Sequence, residues 1–280
     1  MSLAIRSSCI GSAIRCLAPR MCLSTVTPRT KAVAERSLVD MSQLIQQTVQ
    51  TKFALHPFAK SVTAGNIERV MGRYLAMSEA FPYVQAGAYK DVIRRSLSRD
   101  KPITPQVEKT FVAGSFLCWD ETGGNYLLQT KGMKALSESL DTREHFHASL
   151  LRKDLAILFQ RKVDPDYCDA TKTYLTSLMK QLGAEDDLKR GASMVAFETH
   201  AEQMIAALWS SLAKISAIDK EKLIYFQIHV GGDDPAEAHH VALTQRLIRE
   251  LISDEQQKKF IRQFVKYYAF NTAWCKRICE

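Results

Sequence analysis

From Ala34 to the C-terminus the chain repeats apolar residues every three to four positions with hardly an interruption. That spacing is the period of the α-helix, and the alternation that marks a half-buried strand is nearly absent. A chain written this way buries its apolar stripes by packing helix on helix around a shared core. Helical spacing or strong helix formers run over 34–53, 66–81, 83–98, 104–121, 126–140, 142–160, 166–183, 187–217, 219–230, 235–252 and 254–278. Breaks are expected at Pro82, at Pro102 to Pro105, at Gly123-Gly124 and at Pro165, because proline removes a helix donor and glycine frees the backbone. The fold class is therefore all-α. No glycine-rich phosphate loop follows a strand, and no Ser–His–Asp arrangement is readable.

With 280 residues, 46% of them hydrophobic, the chain can build one sizeable core. Only 12 glycines and 8 prolines are present, too few for collagen-like or low-complexity sequence. No apolar run reaches the roughly 18–20 residues of a membrane span. The seven cysteines are odd in number and form no CxxC pair, which argues against a disulfide framework. Cys275 and Cys279, four apart on one helix, are expected to be core-facing thiols.

The net charge of +8 suggests nucleic acid, but its distribution does not. Arg6, Arg15, Arg20, Arg29 and Lys31 all fall in the first 34 residues, which contain no acid. What remains is a weak surplus with no basic stripe interleaved with aromatics, so no nucleic-acid partner is expected. In the same segment Leu3, Ile10, Ile14, Leu17 and Met21 form one face of a helix. Amphipathic, rich in Arg and Ser and free of acids, residues 1–33 have the make-up of a mitochondrial transit peptide, with a plastid as the second destination. The helical domain is then 34–280.

Within that domain some polar residues stand where apolar ones belong. Glu198 lies inside the stripe Met194, Ala201, Ile205, Trp209 and Leu212, while His200 points away from it. A buried carboxylate is tolerated when it is paired or binds a metal. Asp120 and Glu121 end an apolar helix before the double glycine, and Glu121 shares a face with Gly114 and Leu117. His147 is in line with Leu151, Leu155 and Leu158, which fits a satisfied core histidine. Tyr74, Phe81, Tyr83 and Trp119 are candidates to line a pocket. The densest stretch is "YFQIHVGGDDPAEAHH", residues 225–240. Asp219 is placed to cap a helix leading to His229, Gly231-Gly232 stops it, and Asp234 with Glu237 makes a capping pair for the next helix. His229, Asp233, His239 and His240 are left over, and imidazoles with carboxylates suit iron, manganese or zinc.

"FETHAEQMIAALWSSL" followed about 30 residues later by this stretch resembles the heme-oxygenase-like di-metal oxidases, and within them the CADD-like proteins. The resemblance covers roughly residues 40–265 and implies a heme-oxygenase-like seven-helix bundle. That family places a Glu and a following His on one core helix, a Glu on a second, and His-x3-Asp-x2-His on a third. Carried over, the metal-ligand candidates are Glu121, Glu198, His229 and Asp233, with His239 or His240 closing the set. Two departures stand out. Leu128 occupies the position of the first-helix histidine, and Ala236 that of the last, so His147 becomes a candidate replacement.

The resemblance implies a non-heme iron oxidoreductase, with one or two iron ions or manganese, that activates O2 against a small-molecule or acyl-chain substrate in the bundle core. A homodimer is compatible with it. The same fold is shared by metal-free TenA- and PqqC-like enzymes, so a metal-free enzyme or ligand-binding protein is the alternative, and a helical interaction protein the third.

Overall fold

The computed structural model describes residues 41–280 apart from 217, 220–221 and 231–236, with 237–239 and 241 described as backbone alone. The expected targeting segment 1–33 lies outside the described residues, as do Asp233, Asp234, Ala236 and the side chains of Glu237 and His239. Among the described residues every regular element is helical. The order is α1 (41–52), α2 (Pro57–Ser61), α3 (Ile67–Ser98), α4 (Pro105–Glu121), α5 (Gly124–Lys131), a 3-10 segment (Met133–Leu140), α6 (Thr142–His145), α7 (His147–Phe159), α8 (Asp169–Leu182), α9 (Asp187–Ile215), α10 (Ile224–Val230), α11 (Glu237–Leu251), a 3-10 turn (Asp254–Gln256) and α12 (Gln257–Cys279). The seven longest described helices, α3, α4, α7, α8, α9, α11 and α12, agree with the seven-helix expectation. No helix among the described residues is long and apolar enough to cross a membrane.

Two apolar cores share α9. The larger joins α3, α7, α8, α9 from Met194 onward, α10 and the end of α12. In the smaller, Met41, Ile45 and Val49 of α1 project at i, i+4 and i+8 onto Leu188, Val195, Phe260 and Phe264. Each of those three α1 side chains is almost fully buried, a contribution of about 1.5–3 kcal/mol per residue relative to exposure. Cys275 and Cys279 are buried free thiols, as their spacing predicts.

Local chemistry starts and stops the helices where it is strong. Thr104 accepts a hydrogen bond from the Val107 N–H at 3.3 Å with Pro105 at the first helical position, and Asp186 accepts from the Lys189 N–H at 3.0 Å. Between α4 and α5, Gly123 has φ +77°, and a Cβ there would collide with the His145 carbonyl. Glycine therefore fixes the turn that leaves Asp120 and Glu121 at the end of α4.

The expected break at Pro82 does not occur. α3 runs through it as one 32-residue helix. The proline forgoes the bond to the Ser78 carbonyl at a cost of roughly 3 kcal/mol. Burial on both sides outweighs that loss: Phe81, Val84, Gln85 and Ala88 are in the interior, and Phe81 stacks on Phe197 with centroids 4.3 Å apart. Two further helices are shorter than their periodicity suggests. The 126–140 stretch changes to 3-10 geometry after Gly132, and 142–160 is interrupted at Phe146, whose ψ of 133° is extended.

Asp219 is not the cap of the helix that carries His229. That helix, α10, begins at Ile224, and its N-terminus is capped by Asp154 from α7. The Asp154 carboxylate accepts from the Ile224 and Tyr225 N–H groups at 2.8 Å each and from Phe226 at 3.4 Å. Asp154 is fully buried. Burial pushes its pKa up to about 7, and the three N–H donors pull against that rise. The consequence for function is positional, because Asp154 fixes where α10 presents Tyr225 and His229.

Candidate metal centre

A cavity of about 210 Å³ lies where the two cores meet. Tyr74, Phe81, Leu117 and Phe197 supply apolar wall, and Asp120, Glu121, Glu198, Tyr225, His229 and His240 supply polar wall. These residues come from α3, α4, α9, α10 and α11.

One set of donors converges. Glu121 at the end of α4, His147 at the start of α7 and His229 on α10 bring one potential ligand atom each to within 4.8 Å of one another. The His147 Nδ1 stands 3.5 Å from Glu121 Oε2, and the two imidazoles meet edge to face with centroids 4.8 Å apart. The tautomer of His229 follows from its partner. Its Nδ1 is 2.7 Å from the Tyr225 carbonyl, which can only accept, so Nδ1 carries the proton and donates. The lone pair is left on Nε2, the arrangement in which a metal-binding histidine is held. Burial lowers the His229 pKa to about 4, and His147 adds to this. The ring is therefore neutral at pH 7, and a cation binds it without displacing a proton.

A second set pairs with itself. His240 of α11 has Nε2 at 3.0 Å from Asp120 Oδ2 and Nδ1 at 3.2 Å from Glu198 Oε2. Carboxylates only accept, so a ring between two of them is doubly protonated. Burial opposes that charge, yet the hydrogen bonds to Asp120 and Glu198 outweigh it and push the pKa up to about 11. Burial also opposes the Asp120 anion, but His240, His147 and Asn125 hold its carboxyl below the ordinary value. Asn125 Nδ2 donates to Asp120 Oδ1 at 3.1 Å, and Gln129 in turn donates to Asn125.

Two phenols also line the cavity. The Tyr74 and Tyr225 hydroxyls lie 2.7 Å apart, and burial raises the pKa of both, so they stay protonated. The Tyr225 ring rests 4.2 Å from that of His229.

A further convergence lies elsewhere and has a different character. His56, His200 and Cys275 are buried together between α2, α9 and α12. The Phe58 N–H donates to His56 Nδ1 at 3.2 Å, so the neutral His56 ring keeps its proton on Nε2. That proton is donated to His200 Nε2 at 3.1 Å. Both nitrogens that face a would-be ion are spent on each other, which marks a hydrogen-bonded core network.

Of the residues singled out in the sequence, Glu121 and His229 meet in the first set, and Glu198 and His240 meet in the second. Asp233 and the side chain of His239 lie outside the described residues. His147, aligned with core leucines in the sequence, stands beside Glu121. Asp120 carried no separate signal beyond its place next to Glu121. One helical step of about 100° turns the two carboxylates to different neighbours. Tyr74 and Phe81 line the cavity, whereas Tyr83 and Trp119 are exposed and do not. Leu128 sits on α5, partly exposed and away from the cavity, because the chain turns at Gly123 before reaching it.

No protein-family model matches the chain, and no curated protein does. Among solved structures, two crystal structures of a CADD-like protein of unknown function from Nostoc punctiforme PCC 73102, at 1.35 Å and 2.00 Å resolution, match it with TM-scores of 0.59 and 0.60. The alignments cover 87% of this chain in both cases, and 95% and 97% of theirs, at 12% and 14% identity. The chain has the fold of the CADD-like proteins. At that identity the likeness is one of architecture, and the CADD-like fold by itself names no reaction.

Proposed function

We propose that this chain is a non-heme iron oxidoreductase that activates O2 against a small or acyl-chain substrate, with the metal held by Glu121, His147 and His229. The observation that carries the reading is the convergence of one carboxylate and two imidazoles, with the His229 lone pair freed by its bond to the Tyr225 carbonyl. The donor set fits. Two imidazoles and one carboxylate with open positions are the ligands of non-heme iron(II) oxygenases, and manganese(II) accepts the same atoms. Iron bound there would supply O2 activation.

The chain's own residues do the rest. Asp154 holds α10 so that His229 faces Glu121. The stacked Phe81 and Phe197 keep water from one wall of the cavity and offer it to an apolar portion of the substrate. The Tyr74–Tyr225 hydroxyl pair brings a protonated oxygen to the wall beside His229. The composition of residues 1–33 supports delivery to the mitochondrion, with a plastid second.

Anaerobic reconstitution with iron(II), followed by elemental analysis and an oxygen electrode, tests the proposal. Iron should be retained by the wild type and absent from Glu121→Ala, and only the loaded wild type should consume O2. Loss of all iron and manganese from the wild type after desalting would contradict it.

A further inference from the structure

We infer that Ser78 positions the substrate by a neutral carbonyl oxygen, that of an amide, ester or ketone carried on an apolar body. This rests on the reading of the cavity as the substrate site. Tyr74, Met77, Ser78 and Phe81 share one face of α3, and all four line the cavity. Ser78 is 5% exposed, and its Oγ has no hydrogen-bond partner among the described residues. It does not bond back to the carbonyl four residues earlier, the common recourse of a serine within a helix. It neighbours the Tyr225 hydroxyl without hydrogen bonding to it. The Tyr225 and Tyr74 hydroxyls share one bond, at 2.7 Å. That bond uses one of the two phenol protons, whichever ring donates it. The other phenol proton and that of Ser78 are left without an acceptor among the described residues. Buried donors cost free energy until they are met. One carbonyl oxygen, with two lone pairs, accepts from both. An ammonium group brings no acceptor and leaves both protons unmet. An anionic group meets Asp120, Glu121, Glu198 and Glu202 along the same walls, where no lysine or arginine lies among the described residues. Phe81, about 4.5 Å along the axis of α3 from Ser78, and Phe197 stacked on it receive the apolar body.

Titration of the metal-free protein with six-carbon probes, followed by ligand-observed NMR, tests this without turnover. Hexanamide should bind the wild type more tightly than hexylamine or hexanoate. Ser78→Ala should weaken hexanamide about 3–10-fold, the worth of one hydrogen bond, and leave hexylamine unchanged. Because it deletes a hydroxyl with no partner, the same variant should melt above the wild type, whereas loss of a merely structural hydroxyl would make it melt below. Equal affinity of wild type and Ser78→Ala for hexanamide overturns the inference. So does a wild type that prefers hexanoate or hexylamine or binds none of the three, and so does a Ser78→Ala variant less stable than the wild type. Iron(II) retention is read separately, so failure of the metal reading and failure of this inference are distinct results.

Discussion

Replacing Asp154 by alanine should cost the fold about 1–3 kcal/mol for each N–H group left without an acceptor, against the roughly 5–15 kcal/mol that holds a domain together. One carboxylate answers three N–H groups at the start of α10, in a position closed to solvent. Without it those donors are stranded, whichever protonation state of the carboxyl they met. Asp154→Asn keeps one acceptor oxygen and should lose less. Urea unfolding of the two variants measures both effects, and metal retention should fall with α10, because that helix carries His229. The carboxyl also sets a pH dependence. Its folded pKa of about 7 stands above its ordinary 3.8. Stability from this group is then complete below 3.8 and is lost as pH rises through 7. Between pH 4 and 7 the wild type should lose stability that Asp154→Asn does not.

His240→Ala, studied in chelator, should cost about 3–5 kcal/mol at pH 7, since it leaves the buried Asp120 carboxylate without its cation and removes the partner of the half-buried Glu198. Here the linkage has a different window. The ring's pKa is raised from 6.5 to about 11 on folding. Its stabilisation is complete below 6.5 and is given up as pH rises toward 11. Thermal melts of the metal-free wild type should therefore fall from pH 7 to 9.5 through this group, and the variant should show a flatter profile. Parallel pH profiles in the two proteins would mean that His240 carries no charge of consequence.

Much of the architecture is legible in the sequence because it is local. Apolar periodicity reports one helix at a time, and Thr104-Pro105 and Gly123 act on their immediate neighbours. The misreadings have non-local causes. Pro82 is a break by local rules, yet α3 continues because Phe81 and its neighbours are buried against α9. Asp219 is a reasonable cap until Asp154 arrives from 70 residues away. The site divides along the same line. Glu198 announces itself inside an apolar stripe, and His229 and His240 stand out in a crowded loop. Which of them meet cannot be read from spacing. Glu121, His147 and His229 come from three helices, and Asp120, Glu198 and His240 from three. His147 looks like any core histidine until Glu121 is placed beside it.

The measurement that bears most directly on the account is anaerobic iron(II) binding to His147→Ala and His200→Ala, side by side. Both residues are buried histidines in clusters of ligand type, but only His147 stands with a neighbour whose lone pair is free. His147→Ala should weaken iron(II) by more than about 100-fold, beyond the 10–100-fold typical of residues that merely orient a ligand. His200→Ala should leave the affinity unchanged while lowering stability. Unchanged iron binding in His147→Ala, or its loss in a folded His200→Ala, would contradict the assignment of the centre.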